Sequence, residues 1–424
     1  MKLIDFFLNR RNYIAVYVIG YLLRGIIYHF FPVINDILMW ITIIWPVILI
    51  ANDIMKRSIQ MDGLKYALAV FLTVACISTI IHFQESTAEA WVSLWNAVSL
   101  MYLLFTAPDM EEGKQYLKFF DRISLISWGI ICFLAAGSLV LFECYTHDIV
   151  LPGNLASADR IFTYGHLGQD LRFCGLFGYS TVGGNLCALG VFLSFFLYEQ
   201  KKLNGWLSVI SAVILVITIY LLDVRTSAVE LAFSGLLFLY FKLRKKLSAG
   251  KSICLILGGV IILSGLVFFL KQDQIRNLMV QLNTDPEGTL RFLTTGRSEY
   301  WMQAFNAFLQ NPILGQGWNN NAGVQFFDCH NLLFNVLLWT GLLGTTSLFT
   351  FFILLIRKIL KRKKEISEYK LISLILLIFG IFVASMLERT LIGTDNTTAD
   401  ASFFWLSAGT LAYYPGMKPD GKAN

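Results

Sequence analysis

The sequence predicts an all-α, polytopic membrane protein, and three observations support this prediction. The chain of 424 residues is 56% hydrophobic and 15% charged, whereas about a quarter of the residues in a soluble globular domain are charged. Its mean hydropathy is +0.63. Apolar runs of about 20 residues, the length that crosses a bilayer core as a helix, recur along nearly the whole chain. Backbone groups in lipid must bond within their own segment, so these runs are predicted to be helices.

Twelve of these runs are predicted to cross the bilayer, within one integral membrane domain over residues 1–424. The first follows Lys2, Arg10 and Arg11, a pattern typical of an uncleaved start-transfer helix. The predicted spans are 12–31, 36–51, 64–82, 91–106, 122–142, 182–198, 206–222, 226–241, 252–270, 331–356, 371–387 and 402–414.

The distribution of charge predicts the orientation of these spans. Most of the 34 Lys and Arg residues fall on the side of the N-terminus, and an excess of Lys and Arg marks cytoplasmic loops. Both termini are therefore predicted to be cytoplasmic. The opposite face has mainly Arg, whose planar fork suits phosphate better than the Lys ammonium. This external face is predicted to hold an anion; its cations are Arg160, Arg172, Arg225, Lys271, Arg276, Arg291, Arg297 and Arg389.

A large external loop is predicted over residues 271–330. Within it, residues 297–311 have the 3.6-residue period of an amphipathic helix. Thr294 and Thr295 are candidate caps, and Pro312 is expected to end the helix. Such a helix could lie on the bilayer surface. Its apolar face is predicted to contain Trp301, Phe305, Phe308 and Leu309.

Two arginines are candidate anion ligands. Arg297 begins the predicted amphipathic helix, where unpaired backbone N–H groups already favour an anion. The alternative is a loop arginine paired with Asp285 or Glu287. Arg225 lies in the short turn between the seventh and eighth predicted spans, which fixes its depth at the membrane surface. Asp223 and Glu230 are possible salt-bridge partners for Arg225, or could orient it toward a ligand.

His330 is the candidate general base. It lies where the external loop enters the tenth predicted span, and histidine can take up and return a proton near neutral pH. Asn331 could orient it, and the alternative is a structural histidine at the membrane interface. Gly315 and Gly317, in NPILGQGW, predict a tight turn that returns the chain toward His330, with a phosphate cradle as the less favoured interpretation.

The residue pattern predicts no metal site and no nucleic-acid binding. The other histidines and the seven cysteines have no metal-ligand spacing. No basic arm with interleaved aromatic residues is present. Cys144 and Cys174 could pair only if both face an oxidising compartment.

Four motifs together resemble the bacterial O-antigen ligase and polymerase superfamily. They are DVRTS around Arg225, GRSEYW at 296–301, NPILGQGW at 311–318 and HNLLFNVLLWTGLLG at 330–344. Their order, their spacing and the large loop between the ninth and tenth spans agree with this resemblance. The motifs cover a little over a quarter of the chain.

The resemblance implies a metal-independent, inverting glycan transferase of the GT-C type, without a cofactor, at the outer face of the cytoplasmic membrane. Its donor would be a glycan on undecaprenyl pyrophosphate. Arg225 and Arg297 would hold the pyrophosphate, and His330 would deprotonate the acceptor hydroxyl. Arg291 and Arg389 are further candidates for the anion, and Asn331 and Trp301 are candidate substrate contacts. Expected partners are the glycan donor, a glycan or lipid-linked acceptor, the bilayer, and flippase and chain-length regulator proteins.

The first hypothesis is a polysaccharide polymerase that joins lipid-linked repeat units. The second is a ligase that moves finished glycan to a lipid A core or another acceptor. A flippase for the same lipid-linked sugar would instead favour ionisable residues along several spans, or two interrupted helices. The ionisable residues considered for the site are instead predicted to lie at one face, and Arg24 alone lies deep in a predicted span. A non-catalytic scaffold would tolerate the loss of His330.

Overall fold

The structure is a computed structural model that is almost entirely helical. The structure describes most of the chain, with gaps at both termini and in several connecting segments. That part comprises residues 2–56, 59, 61–83, 88–106, 113–149, 151, 161–164, 171–270, 280, 284–286, 296–320, 329–362, 368–388, 390–392 and 398–413.

Fourteen helices are described over these ranges. In chain order they are α1 Lys2–Phe7, α2 Arg10–Phe30, α3 Pro32–Lys56, α4 Gly63–Ile81, α5 Ala88–Thr106, α6 Gly113–Thr146, α7 Ser180–Glu199, α8 Gly205–Leu222, α9 Arg225–Arg244, α10 Ala249–Leu270, α11 Arg297–Gln310, α12 Leu332–Arg362, α13 Glu368–Leu387 and α14 Thr398–Tyr413.

Each of the twelve predicted spans coincides with one of these helices. Seven helical segments are long and apolar enough to cross a membrane, so the protein is a polytopic membrane protein. The total of twelve spans stays a prediction, as does the external loop, because about half of residues 271–330 lie outside the described residues. The seven segments are Val33–Lys56, Gly63–Ile81, Lys118–Thr146, Ser180–Glu199, Gly205–Leu222, Arg225–Arg244 and Leu332–Lys361.

A small β-hairpin departs from the all-α prediction. Strands β1 Phe162–Tyr164 and β2 Leu171–Phe173 pair antiparallel, with Thr163 opposite Arg172. A 3-10 turn at Gly175–Phe177 follows the hairpin and packs against α2. Three-residue strands are too short for a periodic pattern to predict them from sequence. The nearby Cys144 and Cys174 are both buried and free, so they do not pair.

Helix α12 is interrupted at Gly341, whose φ of 59° and ψ of −160° are not helical. The NPILGQGW turn fills the gap. The N–H groups of Gln316 and Gly317 donate to the carbonyls of Leu338 (2.7 Å) and Trp339 (3.2 Å). Leu342 N–H, on the far side of the break, donates to Pro312 (2.8 Å). The turn therefore supplies the hydrogen bonds that the broken helix loses.

The same turn is anchored to α4 and α5 through Trp318, which is fully buried. Its backbone N–H donates to Thr79 Oγ1 (3.0 Å), and its indole N–H donates to Ser93 Oγ (3.2 Å). The N–H groups of Gln316, Gly317 and Trp318 already donate within the protein. They are therefore not free to bind a phosphate, which favours the tight-turn interpretation over the phosphate cradle.

The far end of α12 is tied to α4 and α14 through Asp62. Lys358 donates to its carboxylate, and Tyr413 Oη donates to Oδ1 at 3.0 Å. Asp62 also caps α4 by accepting from Lys65 N–H (3.0 Å). The Lys358 ammonium lies 3.6 Å from the centroid of the Tyr413 ring. Both ends of α12 are therefore fixed in the bundle.

Helix α11 confirms the predicted helix in this segment, and its alanines form the side that is buried. Ala304, Ala307 and Phe308 are buried, whereas Phe305 and Leu309 are exposed. The helix packs on α12, where small alanines allow close approach. Its start is Gly296 in a left-handed conformation, without a side-chain cap, while Thr294 and Thr295 lie outside the described residues. The exposed Phe305 and Leu309 agree with a position on the bilayer surface, which stays a prediction.

Candidate active site

A single carboxylate, Glu388, connects two of the three predicted catalytic residues. Arg297 Nη2 donates to Glu388 Oε1 at 2.6 Å, and His330 Nδ1 lies 2.7 Å from Glu388 Oε2. Arg297 Nη1 also donates to the carbonyl of Leu387 (2.8 Å). Arg297 thus pairs with Glu388, whereas Glu287, one of the two partners considered from the sequence, lies outside the described residues. Glu388 is 7% exposed, so these bonds are largely shielded from water.

The contact with Glu388 defines the tautomer of His330. An ionised carboxylate only accepts hydrogen bonds, so Nδ1 must carry the proton that lies between them. In the neutral imidazole, Nε2 is then the nitrogen that can accept a proton. In enzymes that use a histidine as general base, another side chain orients the imidazole in the same way. The ring of Tyr300 lies beside the imidazole, with 6.3 Å between centroids.

His330 itself has an unusual backbone, with φ of 48°. The left-handed region is uncommon for residues other than glycine, although His is among the better tolerated. Its two neighbours are held in place. Cys329 accepts a hydrogen bond from the Trp301 indole (2.9 Å), and Cys329 N–H donates to Asn335 Oδ1 (3.2 Å). The turn that presents the imidazole is therefore defined by surrounding side chains.

Asn331, on the other side of His330, caps α12. Its Oδ1 accepts from the N–H groups of Leu333 (2.9 Å) and Phe334 (3.2 Å), the pattern of a helix N-cap. Its Nδ2 donates to the carbonyl of Met386 (2.7 Å). Asn331 thus joins the start of α12 to the end of α13, and this junction brings His330 to Glu388.

Trp301 is also engaged within the protein. Besides the bond to Cys329, its ring stacks on Phe334 at 5.7 Å between centroids and an interplanar angle of 10°. The predicted roles of Trp301 and Asn331 as substrate contacts stay predictions. Trp301 contacts Cys329, which precedes His330, and Asn331 directly follows His330, so both support the turn.

Arg225 begins α9 and is exposed. Within the described part of the chain it makes no hydrogen bond or ion pair, so neither Asp223 nor Glu230 is its partner there. Glu230 is fully buried and Asp223 caps the preceding helix in a left-handed conformation. The guanidinium of Arg297 is therefore paired with a carboxylate, whereas that of Arg225 has no such partner among the described residues.

The register of α9 against α13 sets the height of Arg225 in the bundle. Ser234 of α9 meets Gly380 of α13, since a Cβ added at Gly380 would lie 3.0 Å from Ser234 Oγ. The predicted topology makes these two helices antiparallel. Arg225 and Glu388 are then each about 12–13 Å of helix from that contact, in the same direction. Arg225 is thus expected at about the level of the Arg297–Glu388–His330 cluster.

Sequence reasoning identified Arg297 and His330 but missed Glu388. The available signal was a carboxylate directly after the eleventh predicted span, at the membrane face that is also predicted to hold His330. Arg291 and Arg389, the further anion candidates, lie outside the described residues.

Fold and site define a class: an integral membrane protein of packed helices with an Arg–Glu–His cluster at one end of the bundle. Residues 210–349 match the family model described as O-Antigen ligase. This match confirms, over that segment, the predicted resemblance to the O-antigen ligase and polymerase superfamily. It covers about a third of the chain and includes Arg225, Arg297 and His330. No curated protein matches the chain significantly.

Proposed function

We propose that this protein is a polysaccharide polymerase of the O-antigen ligase-like family. It would use glycan repeat units carried on undecaprenyl pyrophosphate, at the outer face of the cytoplasmic membrane. The observation that carries the proposal is the Glu388 carboxylate, bonded to both Arg297 and His330. An oriented imidazole can take the proton of an acceptor hydroxyl, and a guanidinium beside it can stabilise the charge of a leaving pyrophosphate.

In the proposed reaction, a hydroxyl of the acceptor sugar attacks the anomeric carbon of the donor. His330 Nε2 accepts the hydroxyl proton as the new carbon–oxygen bond forms. The bond between the anomeric carbon and the pyrophosphate oxygen breaks, and undecaprenyl pyrophosphate leaves with the electron pair. A single displacement inverts the anomeric configuration. Glu388 stabilises the imidazolium and keeps its Nδ1–H in place, which is the role of the third residue in a triad.

The leaving group is an oxygen of a pyrophosphate, on which negative charge increases as the bond breaks. Preorganised cations at that position lower the barrier, commonly by several kcal/mol. Arg225 has no acidic partner among the residues that the structure describes, and it is proposed to supply most of this stabilisation. Arg297 shares its charge with Glu388 and is proposed to bind a second phosphate oxygen with its remaining N–H groups. This mechanism uses guanidinium groups where other transferases use a metal.

Four further residues have proposed roles around this centre. Arg291 and Arg389 are proposed to add positive charge around the pyrophosphate. Trp301 and Asn331 are proposed to hold the left-handed turn of His330, in addition to any contact with substrate. Flippase and chain-length regulator proteins are proposed partners, since a polymerase needs a supply of lipid-linked units and a control on product length.

The proposal is tested with purified protein in detergent and an undecaprenyl pyrophosphate-linked repeat unit, with product length read on a gel. We expect longer glycan without nucleotide and in the presence of EDTA. His330→Ala should lower the rate by about 10²–10⁴-fold, the usual contribution of a general base. His147→Ala is a matched control, because His147 pairs with Glu143 at 3.4 Å on the exposed surface. Full activity of His330→Ala would exclude the general base, and loss of activity in EDTA would exclude the metal-free mechanism.

The match to the O-antigen ligase family favours a second candidate, a ligase that transfers finished glycan to a lipid A core or another acceptor. The same residues would perform the same displacement, and only the acceptor would differ. Supplying the purified protein with the lipid-linked glycan and a lipid A core together separates the two: capping of the core without elongation identifies a ligase.

A flippase is the alternative from another class, and two observations give it weight. Glu230 lies within the eighth predicted span and is buried in the bundle. Helix α12 is interrupted at Gly341. Movement of a fluorescent lipid-linked sugar across liposomes that contain His330→Ala, at the wild-type rate and without glycan synthesis, would support transport over transfer.

A further inference from the structure

Tyr300 of α11 lies between two parts of the candidate active site. Its ring is 6.3 Å from the His330 imidazole between centroids, with an interplanar angle of 32°. Its phenol oxygen lies close to Gly296, the residue at which α11 starts, because a Cβ built at Gly296 would be 4.0 Å from Tyr300 Oη. The side chain of Tyr300 therefore contacts the region of the general base with its ring and the start of α11 with its hydroxyl.

The direction of side chains on a helix explains this position. Tyr300 is three residues after Arg297, so the two residues are neighbours on one face of α11. Long side chains on a helix lean toward its N-terminus, which brings the phenol back over the first turn. The phenol oxygen is therefore close to the positive end of the helix dipole, where an anion is favoured.

The residues on both sides of Tyr300 fix its backbone. Arg297 donates to Glu388 Oε1 at 2.6 Å, and this ties the start of α11 to the end of α13. Trp301 donates to the carbonyl of Cys329 at 2.9 Å, and this ties the next turn to the residue before His330. The separation between the Tyr300 ring and the imidazole is thus set by contacts on either side of Tyr300.

A ligand has access to this part of the site. Apart from the chain neighbours of Gly296, Tyr300 Oη is the only atom of the described residues within 4 Å of a Cβ built there. The side chains of Arg297 and His330 are 25% and 15% exposed, and Tyr300 is half-buried. The phenol, the guanidinium and the imidazole are therefore all within reach of a ligand from solvent.

We propose that Tyr300 Oη donates a hydrogen bond to a non-bridging oxygen of the donor pyrophosphate. The inference rests on the proposed transfer reaction and adds a residue that binds its donor. A phenol O–H donates without carrying charge, and a hydrogen bond to an ionised oxygen is about twice as strong as one between neutral groups. The phenol keeps its proton. His330 still takes the acceptor proton, and the pyrophosphate still leaves with the electron pair.

This role predicts an effect on donor binding rather than on turnover. A non-bridging phosphate oxygen is charged both before and after the bond to the anomeric carbon breaks. A hydrogen bond to it stabilises the bound donor and the transition state about equally, so its loss raises KM and leaves kcat nearly unchanged. A merely structural role of Tyr300 would misplace the imidazole of His330, and kcat would then fall.

Initial rates of elongation at increasing concentrations of the undecaprenyl pyrophosphate-linked repeat unit test this role. Tyr300→Phe removes the hydroxyl and keeps the ring. We expect it to raise the donor KM about 10-fold, with kcat within about twofold of the wild type. Tyr220→Phe is the matched control, because Tyr220 is 82% exposed, and it should leave both constants unchanged. An unchanged KM in Tyr300→Phe, or a fall in kcat like that of His330→Ala, would overturn the proposal.

Binding measured without turnover separates the role of Tyr300 from the proposed function. The rise in Tm in detergent is followed with undecaprenyl pyrophosphate, and with undecaprenol as a ligand that lacks phosphate. We expect Tyr300→Phe to need about 10-fold more pyrophosphate for the same rise, and to match the wild type with undecaprenol and without ligand. Equal responses of Tyr300→Phe and the wild type to the pyrophosphate would overturn the role of Tyr300 and leave the proposed function standing. No response of the wild type would overturn the proposed function, and this inference with it.

Discussion

Replacing Glu388 by glutamine tests the central contact of the candidate active site. The carboxylate accepts from Arg297 at 2.6 Å and from His330 at 2.7 Å, one oxygen for each donor. Glutamine has nearly the same shape but only one acceptor oxygen. If that oxygen faces His330, the amide NH₂ confronts the guanidinium. If the NH₂ faces His330, the imidazole proton must move to Nε2, and the base can no longer accept a proton there.

Either orientation of the glutamine gives a large loss of rate. Misorienting or mis-protonating a general base costs about 10²–10⁴-fold in turnover. We expect Glu388→Gln to lose about 10²–10³-fold, which corresponds to about 3–4 kcal/mol in the barrier. The cost in folding should be smaller, about 1–3 kcal/mol for the lost charge-assisted hydrogen bonds. The lower half of that range applies because the Arg297 side chain is 25% exposed.

The assay measures initial rates of elongation and thermal unfolding on the same preparations. Glu143→Gln is the matched control, since Glu143 also contacts a histidine, but both side chains are 69% exposed. Glu388→Gln should lose activity at temperatures where it remains folded, and Glu143→Gln should not. Wild-type turnover in Glu388→Gln, or a loss that follows the unfolded fraction, would refute the reasoning.

Two further predictions concern α12, one at its interruption and one at its far end. Gly341→Ala should destabilise the fold by about 1–3 kcal/mol, because φ is positive and the new Cβ would lie 2.4 Å from the Ile313 carbonyl oxygen. Gly129→Ala is the control, since its Cβ would meet nothing within 4 Å, and it should not lower Tm. Equal effects of the two substitutions on Tm would refute the argument. Burial raises the pKa of Asp62, but hydrogen bonds from Lys358 and from backbone outweigh it and lower the pKa below its usual value. The stability that Asp62 contributes is therefore complete at neutral pH and lost as pH falls below about 4. Asp62→Asn should lower Tm at pH 7 and approach the wild type at pH 3, and a constant difference would contradict this assignment.

Helix positions could be predicted from sequence because they depend on local composition. Apolar runs of membrane-spanning length must be helical in lipid, and every predicted span coincides with a helix. The length of α11 was also predictable, because its period and the following Pro312 are local features. Its buried face was not, since Ala304 and Ala307 are buried only because α12 lies against them.

No local sequence pattern predicted the contacts between segments that are distant in the chain. Gly341 breaks α12 because a turn some 25–30 residues earlier supplies replacement hydrogen bonds, and no pattern within α12 indicates this. Glu388 follows an apolar helix and reads as an ordinary interfacial carboxylate. Its role depends on Arg297 and His330, which are 91 and 58 residues away in the chain.

The sequence by itself determined the membrane setting, the helical segments and the residue types able to bind a pyrophosphate and move a proton, because hydropathy and side-chain chemistry are properties of single segments and residues. Only the tertiary structure decided that Arg297 and His330 share Glu388, that Trp301 and Asn331 support the turn at His330, and that Glu230 and Asp400 are buried. The physical reason is that ion pairs and burial depend on which helices pack together, and packing is a property of the whole chain.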